Sequence, residues 1–182
     1  MKLGFAFCGS FCNHAKVLDV YEKLCETYEV VPILSESAAA LSTRFGEAAA
    51  FTARVESAAA RRAVRTITEA EEEKCDLMVV APCTGGTLAR IALGITDGAV
   101  PMAVKGHLRN EKPLVIALAT NDGLGASAQN IAALLMRKSV YFVPFGQDDP
   151  ERKPRSLIAD FTLLDETISA AAEGRQIQPI LL

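Results

Sequence analysis

Leu77-Met78-Val79-Val80-Ala81-Pro82-Cys83-Thr84-Gly85-Gly86-Thr87 runs from an unbroken apolar stretch into a loop of two hydroxyls and two glycines. An apolar run with no polar alternation, closed by turn residues, is the signature of a parallel strand covered on both faces. The chain repeats that pattern on either side. Lys2–Phe7 ends at Gly9-Ser10, Glu29–Leu34 is closed by Ser35-Glu36-Ser37, and Leu114–Ala119 and Val140–Val143 are further runs of the same kind. Amphipathic stretches fill the gaps. Asn13–Thr27 carries Val17, Leu18, Tyr21, Leu24 and Cys25 at helical spacing, and Thr87–Leu93 stops at Gly94. Asp97 is a candidate cap for a helix containing Pro101. Ala126–Lys138 and Leu157–Glu173 read as further helices, the second followed by Gly174. Ala38–Lys74 is Ala-rich and helix-prone, with Ala63–Ile67 as a candidate short strand; its acidic run Glu69, Glu71, Glu72, Glu73 reads as a solvated helical face. Strand and helix in alternation predict an α/β fold, a single doubly wound parallel sheet with helices on both faces. No repeat or linker divides residues 1–182, so one domain is expected.

Composition narrows the function classes. The chain has 182 residues, a size that buries a core without disulfides or a structural metal. With 50% apolar and 23% charged residues it is not a disordered chain. The net charge is −3 and no Lys/Arg stripe occurs, which argues against a nucleic-acid partner. The N-terminal apolar segment is too short for a signal peptide, and no run approaches the roughly 20 residues of a membrane span. Five cysteines is an odd count, and Cys8 and Cys12 lack zinc spacing. Reduced thiols, a cytoplasmic location and no metal site are the expectation.

In a doubly wound sheet, ligands bind beyond the carboxyl ends of the strands. The loops to watch are therefore Gly9-Ser10, Ser35–Ser37, Pro82–Thr87, Thr120–Gly125 and Pro144–Gln147. Gly9 lets the chain approach a ligand, and the helix that follows offers free N–H groups to an anion, with the Ser10 hydroxyl beside them. Thr84, Gly85, Gly86 and Thr87 combine donors with little bulk, which suits a phosphate or a planar polar ring. Helix capping by Thr84 or Thr87 is compatible with that role. A competing motif is Gly123-Leu124-Gly125-Ala126-Ser127-Ala128, a G-x-G-x-x-A with Asp148 about 20 residues on, the pattern of a nicotinamide-dinucleotide site. There is no G-x-S-x-G and no P-loop, and His14 and His107 read as helix-surface or core residues.

Residues Ala81 to Asp97 resemble the Pro-Ala-Ser-Ala-Asn-Thr segment and following helix of the flavin-containing cysteine decarboxylase superfamily, which includes the flavin prenyltransferases. That resemblance implies a Rossmann-like fold, homo-trimers or multiples of them, and FMN held between subunits. A narrower resemblance covers nearly the whole chain. Thr43–Glu47, Leu108–Pro113, Thr120–Gly125 and Tyr141–Pro150 are similar, in order, to segments of the dipicolinate synthase B-subunit family. It implies a companion A subunit carrying an NAD(P) site, and formation of dipicolinate in the mother cell of a sporulating bacterium. Departures from the wider superfamily are clear. Gly86 stands where the decarboxylases have an Asn, no histidine lies between Arg44 and Arg90, and Thr120 stands where prenyltransferases have an arginine. Decarboxylation and prenyl transfer therefore lack their residues. For FMN, the resemblance places Gly9, Ser10, Ser35, Thr84, Gly85, Gly86, Thr87 and Thr120 around the cofactor. A dicarboxylate needs cations or oriented donors. Arg44 and Asn121 are expected to face it, with Lys153 or Arg155 closing the pocket from a mobile loop. No residue is assigned a catalytic role. Two other readings stand beside an oxidoreductase subunit: a non-catalytic scaffold for the A subunit, and another FMN- or nicotinamide-dependent oxidoreductase, the latter using Gly123–Ala128.

Overall fold

A computed structural model describes residues 1–182. In chain order the elements are β1 (Lys2–Phe7), α1 (His14–Thr27), β2 (Glu29–Leu34), α2 (Glu36–Ala40), α3 (Ala48–Ala58), α4 (Ile67–Glu72), β3 (Leu77–Cys83), α5 (Gly85–Leu93), α6 (Ala99–Leu108), β4 (Leu114–Thr120), α7 (Ala128–Leu135), β5 (Val140–Phe142), β6 (Phe145–Asp149), β7 (Lys153–Ala159) and α8 (Leu164–Ala172). The strands form one sheet in the order β2-β1-β3-β4-β7-β6, and β5 also pairs with β4. Strands β1 to β5 are mutually parallel, as the apolar runs predict. β1 lies between β2 and β3, so successive connections leave it in opposite directions, and the crevice of the sheet opens between the ends of β1 and β3.

The parallel sheet is extended by an antiparallel hairpin, β6–β7. β4 changes partner along its length: Leu114–Ile116 pair with β5, whereas Ala119 and Thr120 pair with Ile158 and Leu157 of β7. This corrects the expectation of a helix from Leu157. Residues Lys153–Ala159 are strand, and a new helical turn starts at Asp160, whose carboxylate accepts from the Thr162 N–H at 3.0 Å. Lys153 and Arg155 accordingly sit on a paired strand and not in a mobile loop. Asp97 does not cap α6, which starts after Gly98; its carboxylate takes the Arg90 guanidinium at 2.9 Å. Val64 makes a parallel bridge to Ile33, the remnant of the short strand expected at Ala63–Ile67. Gly94 ends α5 in the left-handed region, at φ +72°.

Fifty buried residues form one apolar cluster around the sheet. Phe5 and Phe7 of β1 meet Tyr21 of α1 edge-on at 5.0 and 5.1 Å, and the Tyr21 hydroxyl donates to the Val55 carbonyl, fastening α3 over α1. Such aromatic pairs add to plain burial and fix the helix register on the sheet. His14 stacks on Phe51 at 4.2 Å and touches the Cys8 carbonyl at 2.7 Å; His107 touches the Pro113 carbonyl at the same distance. Both are buried core histidines. No helix is long and apolar enough to cross a membrane, and no cluster of metal-ligating side chains occurs.

Candidate functional site

The loops after β1, β3 and β4 meet at the carboxyl edge of the sheet. They enclose a cleft of about 670 Å³, walled on one side by Lys153, Leu157 and Ile158 of β7. A second lobe of about 390 Å³ shares Gly9, Phe11, Thr84 and Gly86 with the first and extends to Ser35, Ser37, Thr87 and Arg90. Both volumes fall in the range of small-molecule and cofactor sites.

The floor between the lobes is the start of α5. Thr84 caps this helix: its Oγ1 accepts from the Thr87 N–H at 3.3 Å, and its carbonyl accepts from the Leu88 N–H at 2.8 Å. The Gly85 and Gly86 N–H groups are left without a partner in the chain, as the first donors of a helix are unless a cap or ligand takes them. A Cβ on Gly86 would meet only the Arg90 guanidinium, at 3.4 Å. The surface there is flat and rich in donors. Arg90 itself is held by Asp97 and by the Gly86 carbonyl at 3.2 Å. Behind this floor the Cys8 thiol is pushed up to about 11 by burial, against opposing hydrogen bonds from Thr87 and Thr84, and burial raises Cys83 well above the ordinary thiol range. Burial thus disfavours the thiolate, the nucleophilic form, at both cysteines.

Gly85 faces a second feature. A Cβ there would lie 2.6 Å from Thr120 Oγ1, 2.7 Å from Ser127 Oγ and 3.1 Å from Asp122 Oδ1, so only glycine fits. These three side chains form a cluster in which Asp122 Oδ1 accepts from both hydroxyls, each at 2.6 Å. The hydrogen bonds from Ser127 and Thr120 hold the Asp122 carboxyl below its ordinary range.

The structure brings together most of the expected residues. Gly9, Ser10, Thr84, Gly85, Gly86, Thr120 and Asn121 line the larger lobe, while Ser35 and Thr87 line the smaller. Ser35 also caps α2 by accepting from the Ala38 N–H. The expected cations are placed differently. The Arg44 guanidinium lies over the Phe45 ring, 4.8 Å from its centroid, and is not in the cleft wall, although Phe45 is. Arg155 is also outside the wall and packs near Gly125. Lys153 lines the cleft but is paired to Asp148 at 2.7 Å. The charged side chains of the larger lobe are Asp122, Asp148 and Lys153, so it holds no cation to spare.

Asp122, Ser127 and Asn130 are wall residues given no site role by the sequence reading, although Asp122 lies in the Thr120–Gly125 loop and Ser127 in the Gly123–Ala128 motif. The available signal is an acid five residues ahead of a serine at the start of a helix. The Gly123–Ala128 motif has another explanation: a Cβ on Gly123 would lie 2.5 Å from the Leu157 side chain, so this glycine serves the contact between the β4 loop and the hairpin.

The model of the Flavoprotein family matches residues 1–179. The chain is 38% identical to the dipicolinate synthase B subunit of Bacillus subtilis (strain 168), over all of this chain and 93% of that one. The crystal structure of the dipicolinate synthase B subunit from Bacillus halodurans superposes with a TM-score of 0.90 at 38% identity, covering 100% of this chain and 95% of that one. The FMN-dependent cysteine decarboxylase SpaF shares the fold, with a TM-score of 0.68 at 22% identity over 95% and 97% of the two chains.

Proposed function

The chain belongs to the flavoprotein family, with the dipicolinate synthase B subunits as its relatives over the full length, and from that premise we propose that it is the flavin-binding B subunit of a dipicolinate synthase. Residues 1–182 act in this reading as one flavoprotein-like domain that assembles as a homo-trimer or a multiple of it. It works in the cytoplasm of a sporulating mother cell with an A subunit that carries NAD(P). The observation that carries the flavin reading is the floor of the cleft. Two adjacent glycine N–H groups at a helix start are free, and a Cβ on Gly86 would have only the Arg90 guanidinium near it. A planar ring with carbonyl acceptors fits such a surface, and a bulkier residue at either glycine would obstruct it.

Gly85, Gly86, Thr84 and Thr120 would hold the ring system of FMN, and Gly9, Ser10, Ser35 and Thr87 its phosphate end. When bound, FMN supplies a two-electron acceptor suited to aromatising a dihydropyridine dicarboxylate. The chain's own part is to orient and desolvate. Leu157 and Ile158 close the cleft with apolar surface, while Asn121 offers a donor to a carboxylate. One feature favours sharing the work with the companion subunit. With Lys153 already paired to Asp148, a ligand bearing two carboxylates needs cations from beyond this chain.

The test is co-purification with the A subunit, followed by an absorbance spectrum and a dipicolinate assay. The flavin reading expects a flavin spectrum on this chain and product formation that fails with Gly86→Leu. Full product formation by a complex in which this chain neither carries nor takes up flavin would leave the scaffold reading in its place.

A further inference from the structure

The Thr120–Asp122–Ser127 cluster has a hydrogen-bond polarity that restricts what it can face. An ionised carboxylate accepts and cannot donate. Both hydroxyl protons must therefore point to Asp122 Oδ1, at 2.6 Å each. Several features keep Asp122 ionised. It accepts those two bonds, and it lies beside Gly85 at the start of α5 and near the start of α7, where helix dipoles favour an anion. Its Oδ2 makes no hydrogen bond within the chain. The remaining capacity of the cluster is thus lone pairs only, on Asp122 Oδ2 and on the two hydroxyl oxygens. Lys153 does not offset this, because its ammonium is held by Asp148. An oxygen acceptor placed directly against Asp122 Oδ2 would meet lone pairs and a negative charge.

We propose that Thr120, Asp122 and Ser127 form an acceptor-only subsite that takes the N–H group of a nitrogen heterocycle. The inference rests on the flavoprotein reading for the identity of the cleft and adds to it the chemistry of one wall. Two heterocycles can present such a group, a flavin through its imide N–H and a partly reduced pyridine dicarboxylate through its ring nitrogen. Within the cleft the work is divided. The α5 start offers donors to acceptor atoms, and this wall offers acceptors to a donor atom.

The experiment uses the full chain and two pairs of probes, each pair differing in the N–H. FMN is compared with 3-methyl-FMN, and 4-oxo-1,4-dihydropyridine-2,6-dicarboxylate, whose planar ring carries a neutral N–H, with 4-oxopyran-2,6-dicarboxylate, which has a ring oxygen in its place. Affinities are measured by calorimetry for the wild type and Asp122→Asn. Hydrogen bonds to a charged group set the expected scale. In at least one pair, the N–H probe should bind the wild type about tenfold to a hundredfold more tightly than its partner. Asp122→Asn should abolish that preference. The pair that shows the effect identifies the source of the N–H. The wild-type comparison stands alone if Asp122→Asn does not fold. Equal affinities within both pairs for the wild type, or a preference that survives Asp122→Asn, would overturn the proposal. Failure of FMN alone to bind would overturn the flavin reading, and the dicarboxylate pair would still decide the subsite. If none of the four probes binds, both readings fall.

Discussion

Gly85 and Gly86 are neighbours in sequence and opposites in surroundings. Gly85 is pressed against Thr120, Ser127 and Asp122, whereas Gly86 has only the Arg90 guanidinium near it. Gly85→Ala should therefore overpack the wall at a cost of about 1–3 kcal/mol. That lowers the thermal midpoint by several degrees in a chain of this size, on the order of 2–4 °C per kcal/mol. Gly86→Leu should leave the midpoint nearly unchanged and abolish FMN binding; a melting curve and a titration on each variant check both statements. A second expectation concerns the two histidines. Burial pushes both imidazoles below their ordinary value, against the opposing carbonyl contacts. The unfolded chain then binds the extra protons, so their contribution is complete above pH about 6.5 and is lost as pH falls through the folded values. The urea midpoint should drop between pH 7 and pH 5, and the double variant His14→Gln, His107→Gln should flatten that slope. The Gly-rich floor is legible from sequence because a glycine pair between an apolar run and a helix has few other uses. Asp122 is not, because its significance is set by Thr120 and Ser127 folding onto one of its oxygens.

At the level of elements, the buried parallel strands are legible in the sequence and the edge hairpin is not, for one physical reason. β1 and β3 are covered on both faces and read as continuous apolar runs. β6 and β7 lie at the margin, where Gln147, Asp148, Lys153 and Arg155 face solvent. Their pattern has neither the apolar run of a buried strand nor a clear alternation. The stretch from Leu157 reads as one with the helix behind it because Leu157, Phe161, Leu164 and Ile168 are all buried at spacings a helix would also produce. The Asp160–Thr162 cap is the signal that separates them. This hairpin is fixed to the sheet by the β4–β7 pairs and by Leu157 against Gly123. Leu157→Ala should cost about 2–5 kcal/mol. It should also raise hydrogen exchange at the Leu124 amide, which donates to the Arg155 carbonyl. A stability loss without that local change would mean that Leu157 does not tie the hairpin to the β4 loop.

Seen as a whole, the molecule carries its ligand-facing groups on one edge of a sheet whose other surfaces serve packing. Acidic residues outnumber basic ones, and in the larger lobe Asp122 and Asp148 face a single lysine. A chain so charged is suited to hold a ring through N–H groups and lone pairs, and poorly suited to hold two carboxylates alone. In the proposed reading, a companion subunit supplies the cations that this lobe lacks. The central question is whether the α5 floor holds a flavin. The decisive measurement is a titration of the purified full-length chain with FMN, following flavin fluorescence, in parallel with Gly86→Leu at matched folded concentration. A flavin on that floor predicts saturable quenching at one flavin per chain for the wild type and none for the variant; flavin fluorescence unchanged by the wild-type chain, or equal binding by both, would contradict it.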